Sequence, residues 1–326
     1  MDASEAVPST ESVWDNVVIE LRHGISMVDL ANETVQRAAF ANARKAFEII
    51  ADDPDVAPQI QATADSAHAT GYHPAASSNS LSRYNDYREG FVFSDNNDIR
   101  VKGVPEFRES SSDMKDLLHK IARCVLAGLE RFLNIPLDWF ETTLGPIRSS
   151  SQWHIKNYTF EDAQTEGKED IYLLPTHTDP SIVSVIIHDR PGKQAGSQGL
   201  RYSILGPDGE RSWAEVPYSG HAVAIVLVGS ILSRISGGYF PACCHSVTQS
   251  PEASRIRKRM AATLFARPNG GASLTSPPSD LLQIVPTRRQ ITFDSWNARV
   301  ARNYMKSKGR KTKSCSERCG AAVVLK

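Results

Sequence analysis

The stretch that decides the fold is Leu173-Leu174-Pro175-Thr176-His177-Thr178-Asp179, and it is followed far downstream by Cys244-His245-Ser246-Val247. Side chains two positions apart in an extended chain point to the same side. One nitrogen of His177 and one oxygen of Asp179 can therefore reach the same ion, and His245 can complete a face of three ligands. Two imidazoles and one carboxylate on one face of an octahedron leave three positions open for other ligands. We predict that His177, Asp179 and His245 are the metal ligands and the catalytic residues.

The surrounding sequence supports a metal site, whereas a His-x-Asp pair alone is common by chance. An apolar run over 222–228 predicts a strand that ends at Gly229, and Gly237-Gly238 predicts a tight turn before the strand that carries His245. The run 259–268 predicts a further strand. Its alternation places four side chains on one face: Arg259, Ala261, Thr263 and Phe265.

The order of these motifs resembles that of the Fe(II)- and 2-oxoglutarate-dependent dioxygenases of the isopenicillin N synthase-like, plant and fungal type. The matching positions are His177-Thr178-Asp179, Gly229, Ser236-x-Gly238, His245-x-Val247 and Arg259 with Pro268, within a resemblance that covers roughly residues 17–305. It implies an α+β, mainly β fold, a double-stranded β-helix (jelly-roll) barrel flanked by N-terminal helices. Two positions depart from the family pattern, since Ser246 stands for an Arg and Ala261 for a Ser.

The resemblance implies a reaction and its cofactors. Fe(II), 2-oxoglutarate as cosubstrate and O₂ would be required, and ascorbate could act as a reductant. Oxidative decarboxylation of 2-oxoglutarate to succinate and CO₂ would be coupled to hydroxylation or desaturation of a small-molecule metabolite, as in secondary metabolism. A guanidinium suits the far carboxylate of 2-oxoglutarate. Arg259 is the first choice for this role, Arg257 the second and Arg255 the third.

Further residues follow from the same resemblance. Asn157 and Tyr158 are expected near the cosubstrate, and Tyr158 or Thr263 could replace the hydroxyl missing at Ala261. His154 either lines the substrate cavity or is a hydrogen-bonded strand residue. The segments Ile291-Thr292-Phe293-Asp294-Ser295-Trp296 and Arg302-Asn303-Tyr304 are similar to the C-terminal arm of the cephalosporin ring-expanding enzymes. We expect Trp296 and Tyr304 to pack on the barrel.

Three other functions remain open at this point. An iron-dependent oxidase of the same fold would not use 2-oxoglutarate and would release no succinate. A catalytically silent barrel that binds a small molecule would not need Asp179. A zinc hydrolase can also use two His and a carboxylate, but it gives no reason for a buried Arg259. His23, His188 and His221 lack the context of His245 and are expected to be spectators.

Composition excludes some partners and leaves others open. The 326 residues carry 37 Lys and Arg and 37 Asp and Glu, so the zero formal charge gives no reason to expect nucleic acid or an anionic membrane. Five Cys, two of them adjacent, imply no disulfide framework. No run approaches the ~20 apolar residues of a membrane span. We expect a soluble, cytoplasmic protein with a small-molecule substrate, whose oligomeric state is open.

Periodicity predicts the remaining elements and three regions. Residues 1–145 are expected to be an N-terminal helical and flanking region, 146–270 the jelly-roll core and 271–326 a C-terminal arm with a basic tail. Helices are predicted over 30–50 and 112–134, and strands over 17–25, 153–158, 182–187, 200–205 and 211–216. The run 82–95 carries two Arg and two Tyr, which could recognise an acidic or aromatic substrate. Alternatively, Arg88 and Glu89 form a local ion pair.

Overall fold

A computed structural model of the protein describes residues 6–60, 70–75, 88–95, 99–159, 171–196, 198–205, 211–249, 258–282 and 290–308. The helices are α1 (Glu11–Leu21), α2 (Thr34–Asp52), α3 (Ala57–Ile60), α4 (Phe107–Phe132), α5 (Trp139–Leu144), α6 (Ile147–Ser150), α7 (Ser230–Ile235) and α8 (Phe293–Lys308). The strands are β1 (Ile25–Asp29), β2 (Gly71–His73), β3 (Arg88–Phe93), β4 (Gln152–Thr159), β5 (Ile171–His177), β6 (Val183–His188), β7 (Gln194–Ala195), β8 (Leu200–Leu205), β9 (Arg211–Glu215), β10 (Tyr218–Ser219), β11 (Val223–Val228), β12 (His245–Gln249) and β13 (Lys258–Ala266).

Two antiparallel sheets form the centre of the molecule. The large sheet has the order β1-β11-β6-β13-β4-β3-β2 and the small sheet the order β5-β12-β8-β9, while β7 pairs with β10. The chain passes from β4 to β5 and on to β6, and so alternates between the sheets. Apolar side chains from both sheets, among them Leu174, Ile186 and Val247, pack together between them. This is the predicted double-stranded β-helix, or jelly roll, so the predicted fold class is confirmed.

Helices cover the outer face of the large sheet. The long helix α4 buries a continuous stripe of residues that includes Leu117, Ile121 and Val125. It packs against α1 and α2. A Cβ at Gly128 would lie 3.1 Å from a side-chain carbon of Val18, so the glycine allows α1 and α4 to approach closely. The predicted helices over 30–50 and 112–134 are confirmed as α2 and α4, and α4 begins earlier, at Phe107.

The start of the chain differs from the prediction. Residues 17–25 were expected to form a strand, but residues 11–21 form α1 and the strand β1 begins only at Ile25. Trp14, Val17, Val18 and Leu21 are buried on one side of α1. Their spacing of three and four residues is that of a helix face. The β-branched residues favoured a strand locally, but the burial of this face against α4 determines the helix.

The other predicted strands are present as β4, β6, β8, β9, β11, β12 and β13, and β11 ends directly before Gly229 as expected. Residues before 146 contribute β1, β2 and β3 to the large sheet, besides helices. Of the run 82–95, residues 82–87 lie outside the described part of the chain. Cys124 and Cys243 are free. Cys244 is disulfide-bonded, which the sequence did not lead us to expect. None of the described helices is long and apolar enough to cross a membrane.

Candidate active site

The three predicted metal ligands converge at one end of the small sheet. His177 is the last residue of β5, His245 is the first of β12, and their Cα atoms are partners in the antiparallel ladder. Nε2 of His177 lies 3.3 Å from Oδ1 of Asp179, and Nε2 of His245 lies 3.7 Å from Oδ2. Ligands of one ion at cis positions of an octahedron lie about 3 Å apart when each bond is about 2.1 Å. The spacing therefore fits a single ion.

Backbone carbonyls determine which imidazole nitrogen faces the site. Nδ1 of His177 lies 2.8 Å from the carbonyl oxygen of Pro175, and Nδ1 of His245 lies 3.1 Å from that of Cys243. A ring nitrogen donates to a carbonyl, so the proton of each neutral ring is on Nδ1 and the lone pair is on Nε2. Two lone pairs and a carboxylate then face each other, an arrangement that a cation between them stabilises.

Protonation also favours metal binding. Burial lowers the pKa of His245 to about 4, although the carboxylate of Asp179 acts in the opposite direction. Burial alone would raise the pKa of Asp179, but the imidazoles of His245 and His177 and the hydroxyl of Ser184 hold it below its ordinary value. At neutral pH the buried site thus presents an ionised carboxylate and a neutral His245, which are the forms that bind metal.

A serine pair and a close backbone contact fix Asp179. The hydroxyl of Ser184 donates to Oδ2 of Asp179 over 2.7 Å and lies 2.9 Å from the hydroxyl of Ser181. A Cβ at Gly229 would overlap the carbonyl oxygen of Ser181. Only glycine therefore allows the end of β11 to lie against the loop that carries Asp179. The amide of Ser230 also donates to the carbonyl oxygen of Asp179 over 2.8 Å.

A cavity of about 320 Å³ opens between the sheets and includes the three predicted ligands. Its lining is His73, Arg88, Val92, His154, Lys156, Tyr158, Leu174, His177, Asp179, Ile186, Leu200, His245, Val247, Arg259, Ala261, Thr263 and Phe265. Four of these, Arg259, Ala261, Thr263 and Phe265, are the residues that strand alternation placed on one face. His154 also lines the cavity, with its ring 4.9 Å from that of Phe265.

Arg259 is a buried cation with unsatisfied donors. Its side chain is only 3% exposed, and its Nη2 donates to Nε2 of His188 over 2.9 Å. The guanidinium carbon lies 4.7 Å from the centre of the Tyr158 ring. Nε and Nη1 are buried and make no hydrogen bond to the described residues. Burial lowers the pKa of Arg259 from its ordinary value, and a buried cation of this kind is stable only with an anion beside it. Arg255 and Arg257, the alternatives to Arg259, lie outside the described residues.

Asn157 is placed differently from its neighbour Tyr158. The two residues are adjacent on β4, so their side chains point to opposite faces of the sheet. Tyr158 lines the cavity, whereas Nδ2 of Asn157 donates to Oε1 of Glu89 over 2.8 Å and does not line it. Glu89 also accepts from the hydroxyl of Tyr72 over 2.6 Å. Glu89 is thus on the face opposite to Arg88, and the alternative of a local Arg88–Glu89 pair does not fit this placement.

Sequence analysis missed the parts played by Ser184, His188 and Lys156. Burial and then the charge of Arg259 lower the pKa of His188 well below its ordinary value. A neutral His188 can accept the hydrogen bond from Arg259, so this residue is not a spectator. The signal was available, because Ser184, Ile186 and His188 alternate on one face of β6.

His221, His23 and Trp296 are not among the residues that line the cavity. His221 lies 3.0 Å from Asp189 and stacks on Phe40, and His23 is exposed. Trp296 packs on the main core, as expected. The side chain of Tyr304 lies outside the part of the structure that is described.

Comparisons with known proteins agree with this geometry. Residues 155–268 match the family model of the 2OG-Fe(II) oxygenase superfamily. No curated protein matches the sequence.

Three solved structures are similar over most of their length. A 2OG-Fe(II) oxygenase family protein from Caulobacter crescentus is 15% identical with a TM-score of 0.68, and the match covers 90% of this chain and 94% of that one. The dioxygenase for auxin oxidation from rice is 18% identical with a TM-score of 0.65, covering 93% and 95%. A full-length Neurospora crassa protein, in complex with alpha-KG and thymine, is 13% identical with a TM-score of 0.66, covering 90% and 92%.

At such low identity these likenesses show the fold, while the family match covers the sheets that carry the three predicted ligands and Arg259. The donor set of His177, Asp179 and His245 fits the iron that the superfamily uses. Residues 155–268 therefore resemble a 2OG-Fe(II) oxygenase domain in sequence and carry a ligand set that suits iron, which supports a 2-oxoglutarate-dependent oxygenase.

Proposed function

We propose that His177, Asp179 and His245 bind Fe(II), and that Arg259, supported by Tyr158 and His188, binds the far carboxylate of 2-oxoglutarate. One observation carries the proposal. The same cavity holds three convergent metal-binding atoms and a buried guanidinium with two unsatisfied nitrogens. A dicarboxylate can use both, since its oxo-acid end chelates the metal while its other end pairs with the guanidinium.

The side chains of this cavity would bind and orient the metal and 2-oxoglutarate. When bound, iron with 2-oxoglutarate and O₂ supplies the oxidising power, and succinate and CO₂ are released. Asp179 and the two histidines would hold the metal, and the coordination positions that they do not occupy would be available to the cosubstrate and O₂. His188 keeps the guanidinium of Arg259 in place by accepting its hydrogen bond. Apolar side chains such as Leu174 and Val247 form part of the cavity wall.

The geometry favours this function over the alternatives. An oxidase that does not use 2-oxoglutarate, or a zinc hydrolase, would leave the two nitrogens of Arg259 without a partner in a buried site, which is costly. A silent barrel would not require Nε2 of both histidines to face an ionised carboxylate. The missing hydroxyl at Ala261 has replacements nearby, because Tyr158 and Thr263 both line the cavity.

The substrate is proposed to be a small metabolite that is hydroxylated or desaturated. A cavity of about 320 Å³ is of the size that small ligands occupy. The Neurospora crassa structure, which holds thymine together with alpha-KG, supports a small molecule as the substrate. The role in secondary metabolism, the cytoplasmic location and the three regions 1–145, 146–270 and 271–326 stay predictions.

The direct test is anaerobic binding of Fe(II) and 2-oxoglutarate. We expect a visible absorption band from the chelate in the wild type, none in Asp179→Ala, and a much weaker one in Arg259→Ala at the same cosubstrate concentration. Asp53→Ala, at an exposed position after α2, is the matched control and should leave the band unchanged. Iron binding without a band would refute use of 2-oxoglutarate. Absence of iron binding would refute the metal site.

A further inference from the structure

Two further cations lie in the same cavity, on the side away from Arg259. Arg88 on β3 and Lys156 on β4 both line the cavity and are 5% and 8% exposed. In the register of the sheet, Tyr158 is the Cα partner of Arg88 on one side and of Arg259 on the other. Arg88 therefore lies two strands away from Arg259, and Lys156 lies one strand away.

Gly90 directs Lys156 toward β3. Gly90 is the Cα partner of Lys156, and a Cβ at this position would overlap the Cδ of Lys156. The lysine stem therefore runs across the bare backbone of β3. The neighbour of Lys156 on the other side is Ala261, from which this stem leads away. The charge of Lys156 is thus presented on the Arg88 side of the cavity.

Lys156 has no carboxylate partner among the described residues of the cavity lining. The one acid in that lining is Asp179, which is engaged by His177, His245 and Ser184. Burial, and then the charge of Arg88, lower the pKa of Lys156 to about 7. Like charges in a buried site destabilise each other, and an anion bound beside them relieves the repulsion.

The remaining lining limits the kind of anion. The apolar part of that lining is formed by Val92, Leu174, Ile186, Leu200 and Val247. These side chains offer an apolar surface and no hydrogen-bonding groups. A ligand that matches both features has an apolar body and one anionic end.

We propose that Arg88 and Lys156 form an anion subsite for the substrate, and that the substrates are carboxylic acids with an apolar body. This inference rests on the proposed function, because it assigns 2-oxoglutarate to Arg259 and leaves the second subsite to the substrate. The acid would lie with its carboxylate at Arg88 and Lys156 and its apolar part toward the metal ligands, where oxidation takes place.

The test compares acids with their neutral amides. Protein loaded with Mn(II) and 2-oxoglutarate is titrated calorimetrically with phenylacetate, phenylacetamide, octanoate and octanamide. We expect the wild type to bind at least one acid about 10-fold or more tightly than its amide. A hydrogen bond between two charged groups in a buried site contributes a free energy that corresponds to such a ratio. Lys156→Met keeps the stem over Gly90 and should remove most of the preference. The affinity for 2-oxoglutarate should change less than about 2-fold.

Controls separate binding from packing. Lys193→Met removes an exposed lysine paired with Asp29 and should leave the acid preference intact. Thermal unfolding of Lys156→Met should show no loss of stability, because a buried charge has been removed. If that variant fails to fold, Arg88→Met serves as the second variant, with the same expected loss of preference.

Each contrary outcome identifies a different error. Equal affinity for acids and amides in the wild type, or no binding of any acid, overturns the anion subsite while 2-oxoglutarate binding stands. A parallel loss of 2-oxoglutarate affinity in Lys156→Met assigns Lys156 to the cosubstrate and also overturns it. Failure of the wild type to bind 2-oxoglutarate overturns the proposed function itself, and with it the inference.

Discussion

Replacing Arg259 by Met tests the central assignment, because its effects on folding and on cosubstrate binding should differ widely. Met keeps the apolar character of the Arg stem, is shorter and carries no charge. The change removes the hydrogen bond to His188 and the contact with the Tyr158 ring, and it also removes a buried cation with two unsatisfied nitrogens.

The magnitudes decide which effect dominates. An unpartnered acceptor at His188 costs about 1–3 kcal/mol, and the lost cation–π contact costs about 0.5–2 kcal/mol. Removal of a buried cation returns several kcal/mol. These terms nearly cancel, so the free energy of unfolding of the apo protein should change by less than about 2 kcal/mol. Loss of one partner of a buried charge pair costs about 3–5 kcal/mol, so the Kd of 2-oxoglutarate should rise by about 100-fold or more.

The assay is calorimetric titration of 2-oxoglutarate into the Mn(II)-loaded protein, together with urea unfolding of the apo protein. Arg131→Met is the matched control, since it breaks the ion pair between α4 and Asp15 on α1 and should leave the Kd unchanged. A Kd within about 3-fold of the wild type would refute the role of Arg259. A loss of several kcal/mol in apo stability would show that Arg259 is structural instead.

Three further changes test two other parts of the site and one buried histidine of α4. Ala261→Ser should place a hydroxyl in the cavity and lower the Kd of 2-oxoglutarate about 2- to 10-fold in the same titration. Ala262→Ser, which faces the core, should lower the free energy of unfolding and leave this Kd unchanged. An unchanged Kd for Ala261→Ser would contradict the prediction. Gly229→Ala should reduce both the Mn(II) affinity and the free energy of unfolding, the latter by about 1–3 kcal/mol. Gly271→Ala should be neutral in both measurements, because its Cβ would make only an ordinary contact, 3.8 Å from Oδ1 of Asn269. Wild-type Mn(II) affinity in Gly229→Ala would show that the contact does not position the ligand loop. Burial lowers the pKa of His119 to about 4, so the unfolded state binds more protons than the folded state between the ordinary pKa of histidine and pH 4. The free energy of unfolding should therefore fall as the pH falls through this range, by up to about 1.4 kcal/mol per pH unit from this group. Urea midpoints of His119→Gln that fall as steeply with pH as those of the wild type would contradict this.

The convergence of His177, Asp179 and His245 could be predicted because most of its geometry is local. A His and an Asp two residues apart share a side of an extended chain whatever the rest of the fold does. The face formed by Arg259, Ala261, Thr263 and Phe265 followed from the same alternation, and all four line the cavity. The strand that was wrongly predicted over 17–25 shows where local reasoning fails. Its β-branched residues have a strand propensity, but their burial against α4 is a tertiary effect.

Asn157 and Tyr158 show a different limit. The resemblance named both residues, yet neighbours on one strand cannot share a face, and the structure places only Tyr158 in the cavity. Lys156 and Tyr158 are two residues apart on β4 and therefore share a face. Strand alternation would have identified Lys156, and not Asn157, as the second residue of the cavity. Motif matching identifies a region of the chain. The alternation of side chains along the strand then determines which of them can reach the ligand.

The charges of the cavity depend on contacts that no local pattern contains. His188 meets Arg259 because β6 and β13 are neighbours in the sheet, and Lys156 lies over Gly90 because β3 pairs with β4 in one particular register. A shift of one residue in that register would turn Glu89 to the cavity side and Arg88 away from it, and so would replace a cation of the cavity by an acid. The pairing that forms the wall thus also determines the charge of the pocket. The class of substrate can therefore be inferred only when the register of β3 and β4 is known.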